Sequence, residues 1–199
     1  MGVMIMPQLY KRVLCLLCFL WLAGGALAFG ANAGPQPWRA ARVPGRSASA
    51  IRLTGRKDAW KSKVKRLNWF DGGDEVLEED EYGYLYDIDT GLVVHIKRMG
   101  GVNHADCEPA GKSDTAKLWK IAGGEFSWES HAAILYADGQ FVACAINTRP
   151  HGDQTLTANG FDGHFCLHMA GSRTHDSDLV NEAHQNNILK AYNWAHHDD

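Results

Sequence analysis

Tyr82 to Asp87 and Leu92 to Arg98 are runs rich in Tyr, Leu, Val and Ile that read as β-strands. Asp89-Thr90-Gly91 lies between the two runs, so they read as a hairpin. The pattern changes after Ser113-Asp114, a helix N-terminus, where Ala116, Leu118, Trp119 and Ile121 recur at helical spacing until Gly123-Gly124 stops them. Ala132 to Tyr136 and Phe141 to Ile146 are further strand runs around Asp138-Gly139, a second hairpin signal. A short strand from His164 to Met169 follows a Gly-rich stretch. From about Asp178 to Trp194 the helical period returns, with Leu179, Val180, Ala183, Ile188, Leu189 and Tyr192 as its expected buried side. The pattern predicts a β-dominated α+β fold, a compact sheet- or sandwich-like domain carrying a C-terminal helix.

Ahead of Leu67 no such pattern runs. Lys11 and Arg12 precede an apolar stretch from Val13 to Ala23, then Gly24-Gly25 and Ala26-Leu27-Ala28, the order of parts in a secretory signal. Cleavage is expected after Ala28, or after Ala33 in the second small-residue site. The stretch is shorter than the ~20 apolar residues of a spanning helix, so a permanent membrane anchor is not expected. Gly34 to Arg66 carries ten Lys or Arg against the single acid Asp58 and is rich in Gly, Pro, Ala and Ser, the composition of a flexible linker. The sign then reverses, with nine acids and no Lys or Arg between Leu67 and Thr90, which leaves the 199 residues at net charge −3. The expected organisation is a signal at 1–28, a basic linker at 29–66 and one domain at 67–199. A basic arm can bind an anionic envelope or nucleic acid, and export argues against nucleic acid as a partner.

Export to a periplasm, a cell wall or the medium also changes what the cysteines mean. Cys15 and Cys18 leave with the signal, and Cys107, Cys144 and Cys166 remain. An odd count in an oxidising compartment is consistent with a Cys107–Cys144 disulfide and a free Cys166. The alternative is that Cys144 is an apolar core residue of its strand.

The chemistry concentrates late in the chain. His151-Gly152 is followed, eleven positions on, by Gly163-His164-Phe165-Cys166-Leu167-His168. A cysteine attacks acyl groups as thiolate, so it needs an imidazole to take its proton and donors for the oxyanion that develops. On an extended segment His164 and Cys166 share a face, whereas His151 reaches them only if the chain folds back across the Gly-rich stretch. A buried structural cysteine beside polar histidines is the competing view.

The spacing resembles the signature of the L,D-transpeptidase (YkuD-type) catalytic domain: His-Gly, about a dozen residues, a small residue, His, one residue, Cys. The resemblance covers roughly Tyr82 to Met169 and is specific over the last part. It implies that Cys166 is the nucleophile, His151 the base, the Gly152 carbonyl the holder of its other ring nitrogen and His164 a supporting group. It also implies a peptidoglycan stem-peptide substrate and no cofactor. Gly163 stands where Ser or Thr is usual, Phe165 where Gly is usual and His168 where Asn or Arg is common. Arg149 and Arg173 bracket the motif and are candidates for gripping a substrate carboxylate, while His104 and Asp106 follow the Gly100-Gly101 turn and are candidates for lining the cleft.

Zinc chemistry competes with the thiol. His104, Asp106, His164 and His168, with His175 nearby in sequence, supply enough ligands for a catalytic ion, and Asp106 or Glu108 would activate its water in an exported cell-wall peptidase. The chain has no HExxH helix to support that arrangement. A third possibility is a non-catalytic module that binds the wall.

Overall fold

The computed structural model describes residues 58–175 and 177–197, so the expected signal and most of the expected linker lie outside the described residues. Seven strands form one sheet: β1 (Val64–Lys65), β2 (Tyr82–Asp87), β3 (Val93–Gly100), β4 (Ala105–Pro109), β5 (His131–Ala137), β6 (Gln140–Ile146) and β7 (Phe165–His168). Their order is β1-β6-β5-β2-β3-β4-β7, and β7 pairs with β6 as well as with β4. Strands β2 to β7 therefore close into a six-stranded antiparallel barrel, to which β1 adds in parallel at β6. Closure leaves these six strands without a free edge. Helices α1 (Lys112–Ile121) and α2 (Glu182–His196) complete the domain, which is the β-dominated α+β architecture that the sequence pattern predicts.

The two-residue period sorts the core into two layers. Leu85, Val94, Ile96, Leu135, Val142, Cys144, Phe165 and Leu167 belong to the larger cluster, which Trp69 and Leu118 and Ile121 of α1 join. The alternate positions of β5 and β6, Ala132, Ile134, Ala143 and Ala145, form a second cluster with Ile188, Ala191 and Ala195 of α2. Both faces of these two strands are thus apolar because both are covered. Alanines pave the outer face, which lets the helix backbone come close.

That packing shifts the buried side of α2 from the expected one. The helix starts at Glu182, where the Asn181 side chain accepts from the His184 N–H, so Leu179 and Val180 precede it and are exposed. Leu189 is also exposed, and His184, Ile188, Ala191 and Ala195 face inward.

The folded domain begins earlier than residue 67. Trp60 packs against Tyr86, Phe141 and Trp194, and β1 extends the sheet, so the last residues of the basic segment are part of the domain. The stretch after the Gly100-Gly101 turn continues as a strand from Ala105 to Pro109. Cys107 and Cys144 are free, buried thiols of the larger core cluster, so of the two readings of these cysteines it is the apolar core residue and not the disulfide that the structure has. Among the described residues no helix is long and apolar enough to cross a membrane.

Candidate active site

Strand register brings the chemistry together. Strands β4 and β7 run antiparallel with Asp106 opposite Cys166, which places His104 opposite His168 on the same face. The rings of His104 and His168 stack with centroids 4.3 Å apart, and His184 of α2 stacks on the other side of His168 at 3.9 Å. The intervening residues Cys107, Phe165 and Leu167 belong to the larger core cluster.

His151 arrives by the return that the Gly-rich stretch allows. Its backbone bridges to His164, with N–H to carbonyl bonds of 3.1 and 2.9 Å in the two directions. Two glycines permit this approach. Gly163 sits at φ +117°, and a Cβ there would run into the His151 backbone. At Gly152, φ +61°, a Cβ would lie 2.5 Å from Cε1 of His164.

The result is a thiol beside an imidazole. Nε2 of His151 lies 3.4 Å from Sγ of Cys166, and Nδ1 of His151 donates to the Arg149 carbonyl at 2.8 Å. A carbonyl can only accept, so this contact fixes the proton on Nδ1 and turns Nε2 towards the sulfur. The holder of the ring is thus Arg149 rather than Gly152, whose part is to make room for His164. Burial on its own would raise the Cys166 pKa, but hydrogen bonds from His104, His151 and His168 outweigh it and bring the thiol to about 3. The bond to Cys166 raises the His151 pKa above its ordinary value despite partial burial. Both shifts favour the thiolate of Cys166 beside the imidazolium of His151.

A second set of polar atoms converges beside the sulfur. Burial would lower the His104 pKa, yet the adjacent Asp106 carboxylate and then the Cys166 thiolate raise it to about 10. Burial pushes Asp106 up, and the neighbouring histidines, His104 first, more than reverse that, leaving it below the ordinary carboxylate value. Nε2 of His175 comes within 3.1 Å of Asp106 Oδ1, and Nε2 of His164 within 3.6 Å. Burial holds His168 and His184, the middle ring of the stack and the one on α2, below the usual histidine pKa, so both are neutral near pH 7.

Of the residues singled out in the sequence, Cys166, His151, His164, Gly152, His104 and His168 line one cavity of ≈ 680 Å³, and Asp106 lies against their ring nitrogens. Arg149 and Arg173 enter through their backbones instead. The Arg173 carbonyl accepts from Nδ1 of His104 at 2.6 Å, while its guanidinium pairs with Asp178 at 3.3 Å and lies over Phe70. Glu108 is not free to act as a base, because its carboxylate accepts from the backbone of Thr155 and Leu156 and from the Thr155 hydroxyl. Sequence reasoning missed Asn147, whose side chain accepts from the Cys166 N–H at 3.4 Å, and His184. Its spacing with Ile188, Ala191 and Ala195 is a helical stripe that would have placed His184 on the buried face.

No family model, no curated protein and no solved structure matches this chain.

Proposed function

We propose that this protein is an exported thiol acyltransferase acting on cell-wall stem peptides, in the manner of the L,D-transpeptidases that its motif resembles. The observation that carries the reading is the Cys166–His151 contact of 3.4 Å, with the imidazole oriented by the Arg149 carbonyl and the sulfur opening into the cavity. The thiolate attacks a peptide carbonyl and forms a thioester, while His151 gives its proton to the departing amine. An incoming amine, or water, then loses a proton to His151 and releases the acyl group from the sulfur. The N–H of Cys166 is engaged by Asn147, and the buried His104 imidazole beside the sulfur is the candidate to support the oxyanion.

The cavity suits such a substrate. A volume of ≈ 680 Å³ is that of a pocket for a small organic group or a short peptide. Among the described residues six histidines line it, together with Trp128, Asn147, Thr174, Ser177 and Asn181, with the Asp106 carboxylate against their ring nitrogens, and this supply of imidazole donors favours the anionic groups of a stem peptide. The test is incubation of the secreted protein with tetrapeptide and pentapeptide muropeptides, followed by mass spectrometry of products. Wild type should release the terminal residue and form a thioester adduct on Cys166, and Cys166→Ala should do neither while keeping its circular dichroism. Turnover by Cys166→Ala at the wild-type rate would overturn the thiol mechanism.

A further inference from the structure

Beside the sulfur, three ligand-type atoms form a nearly equilateral triangle. Nε2 of His104 lies 3.0 Å from Nε2 of His175 and 3.4 Å from Oδ1 of Asp106, and the third side, His175 to Asp106, is 3.1 Å. A tetrahedral ion bound at about 2.0–2.1 Å separates its nitrogen and oxygen ligands by ~3.3 Å. The sulfur of Cys166 falls in the same group, every donor atom of which lies within 4.8 Å of the others. We propose that His104, Asp106 and His175 hold a divalent cation of the zinc class, with the Cys166 thiolate closing its fourth position.

Three further features point to a cation. Nδ1 of His104 donates to the Arg173 carbonyl, which leaves Nε2 with the lone pair in the neutral ring, the tautomer and orientation that a ligating histidine requires. His164 is similarly held, with Nδ1 on the Asp153 carbonyl at 2.9 Å. Its Nε2 is buried without a hydrogen-bond partner and is directed at Asp106, whose Oδ1 is also a buried acceptor that no hydrogen bond satisfies. The donor set of two imidazoles, a carboxylate and a thiolate belongs to zinc rather than to calcium or magnesium, which take oxygen ligands. A thiolate bound to the ion is withdrawn from acyl transfer, so occupancy would switch the enzyme off. This consequence rests on the thiol reading, whereas the binding itself does not.

The experiment uses the secreted protein, stripped with chelator and titrated with zinc and separately with cobalt. One ion per chain should bind, cobalt should show both tetrahedral d–d bands and a thiolate charge-transfer band, and Cys166→Ser should lose the latter. His175 is on an exposed loop, so His175→Ala should fold normally and weaken binding by more than the ~10–100-fold that loss of a supporting group costs. Labelling of Cys166 by iodoacetamide should be fast in the stripped protein and should fall in proportion to added zinc. Absence of saturable uptake, or uptake that His175→Ala leaves unchanged, overturns the ion site. Fast labelling without uptake would leave the thiol reading standing alone, and uptake in a protein whose stripped form resists labelling would leave only the ion site.

Discussion

Protonation of His184 should be a main route by which mild acid unfolds this domain. The ring is 5% exposed, its Nδ1 meets the Ser130 hydroxyl at 3.0 Å, and its face lies on His168 with an interplanar angle of 11°. Burial first, and then the charges of His168 and His104, lower its pKa from 6.5 to about 3. The unfolded chain takes up this proton near the ordinary value, and the fold refuses it until far lower pH. Between those values the unfolded state binds more protons, so the stability from His184 is complete above about pH 6.5 and is lost as the pH falls towards 3.

Each pH unit in that window removes ~1.4 kcal/mol, which amounts to about 2 kcal/mol at about pH 5. That is a sizeable share of the ~5–15 kcal/mol that holds a typical domain together. The perturbation is His184→Phe, which keeps a flat ring in the stack and removes the titration. Urea unfolding followed by circular dichroism, at pH 7 and at about pH 5, gives the stability of each protein. His95 and His168, whose pKa values burial also lowers, act in the same direction, and His104 and His151, whose values are raised, act in the opposite one, losing their contribution as the pH rises. All four are present in both proteins, so the comparison largely removes them. Wild type should lose about 2 kcal/mol more than His184→Phe over this interval. Parallel losses would refute the reasoning, whatever the stability of the variant at pH 7.

Two other substitutions test the supports of the site. Gly163→Ala should separate the His151 strand from His164 and slow alkylation of Cys166 by at least about tenfold, since the thiolate would lose its oriented imidazole, and an unchanged labelling rate would show that the bridge does not position His151. Arg98 donates to the carbonyls of Gly100, Asp74, Leu77 and Gly101, so Arg98→Met should destabilise the fold by at least about 3 kcal/mol in urea unfolding, given ~1.5–3 kcal/mol for each hydrogen bond to a charged group.

The local pattern of the chain was enough to locate most elements. Tyr82–Asp87, His131–Ala137, Gln140–Ile146 and α1 lie within a residue or two of where residue type and turn signals put them, because each buries its own apolar face and carries its own stop signal. Strand β4 was hidden because Asn103-His104-Ala105-Asp106 is polar on one face and follows two glycines, which in isolation reads as a turn. The buried side of α2 was misread for a related reason. Leu179 and Val180 continue the apolar pattern, but the Asn181 cap starts the helix after them.

By itself the sequence determined which residues carry reactive groups, Cys166, His151, His164 and His104 among them, and that His164 and Cys166 would share a face, since both follow from residue type and the period of a strand. It also determined the conformations open to Gly152 and Gly163, on which the return of His151 depends. Only the tertiary structure decided who meets whom. Barrel closure pairs β7 with both β4 and β6, and that pairing sets Asp106 opposite Cys166 and His104 beside His168 across some sixty residues of chain. The loop after β7 brings His175 to Asp106, and α2 brings His184 to the stack. Such contacts join residues distant in the chain, and no local period encodes them, because their geometry is fixed by which strands hydrogen-bond and not by the order in which they are made.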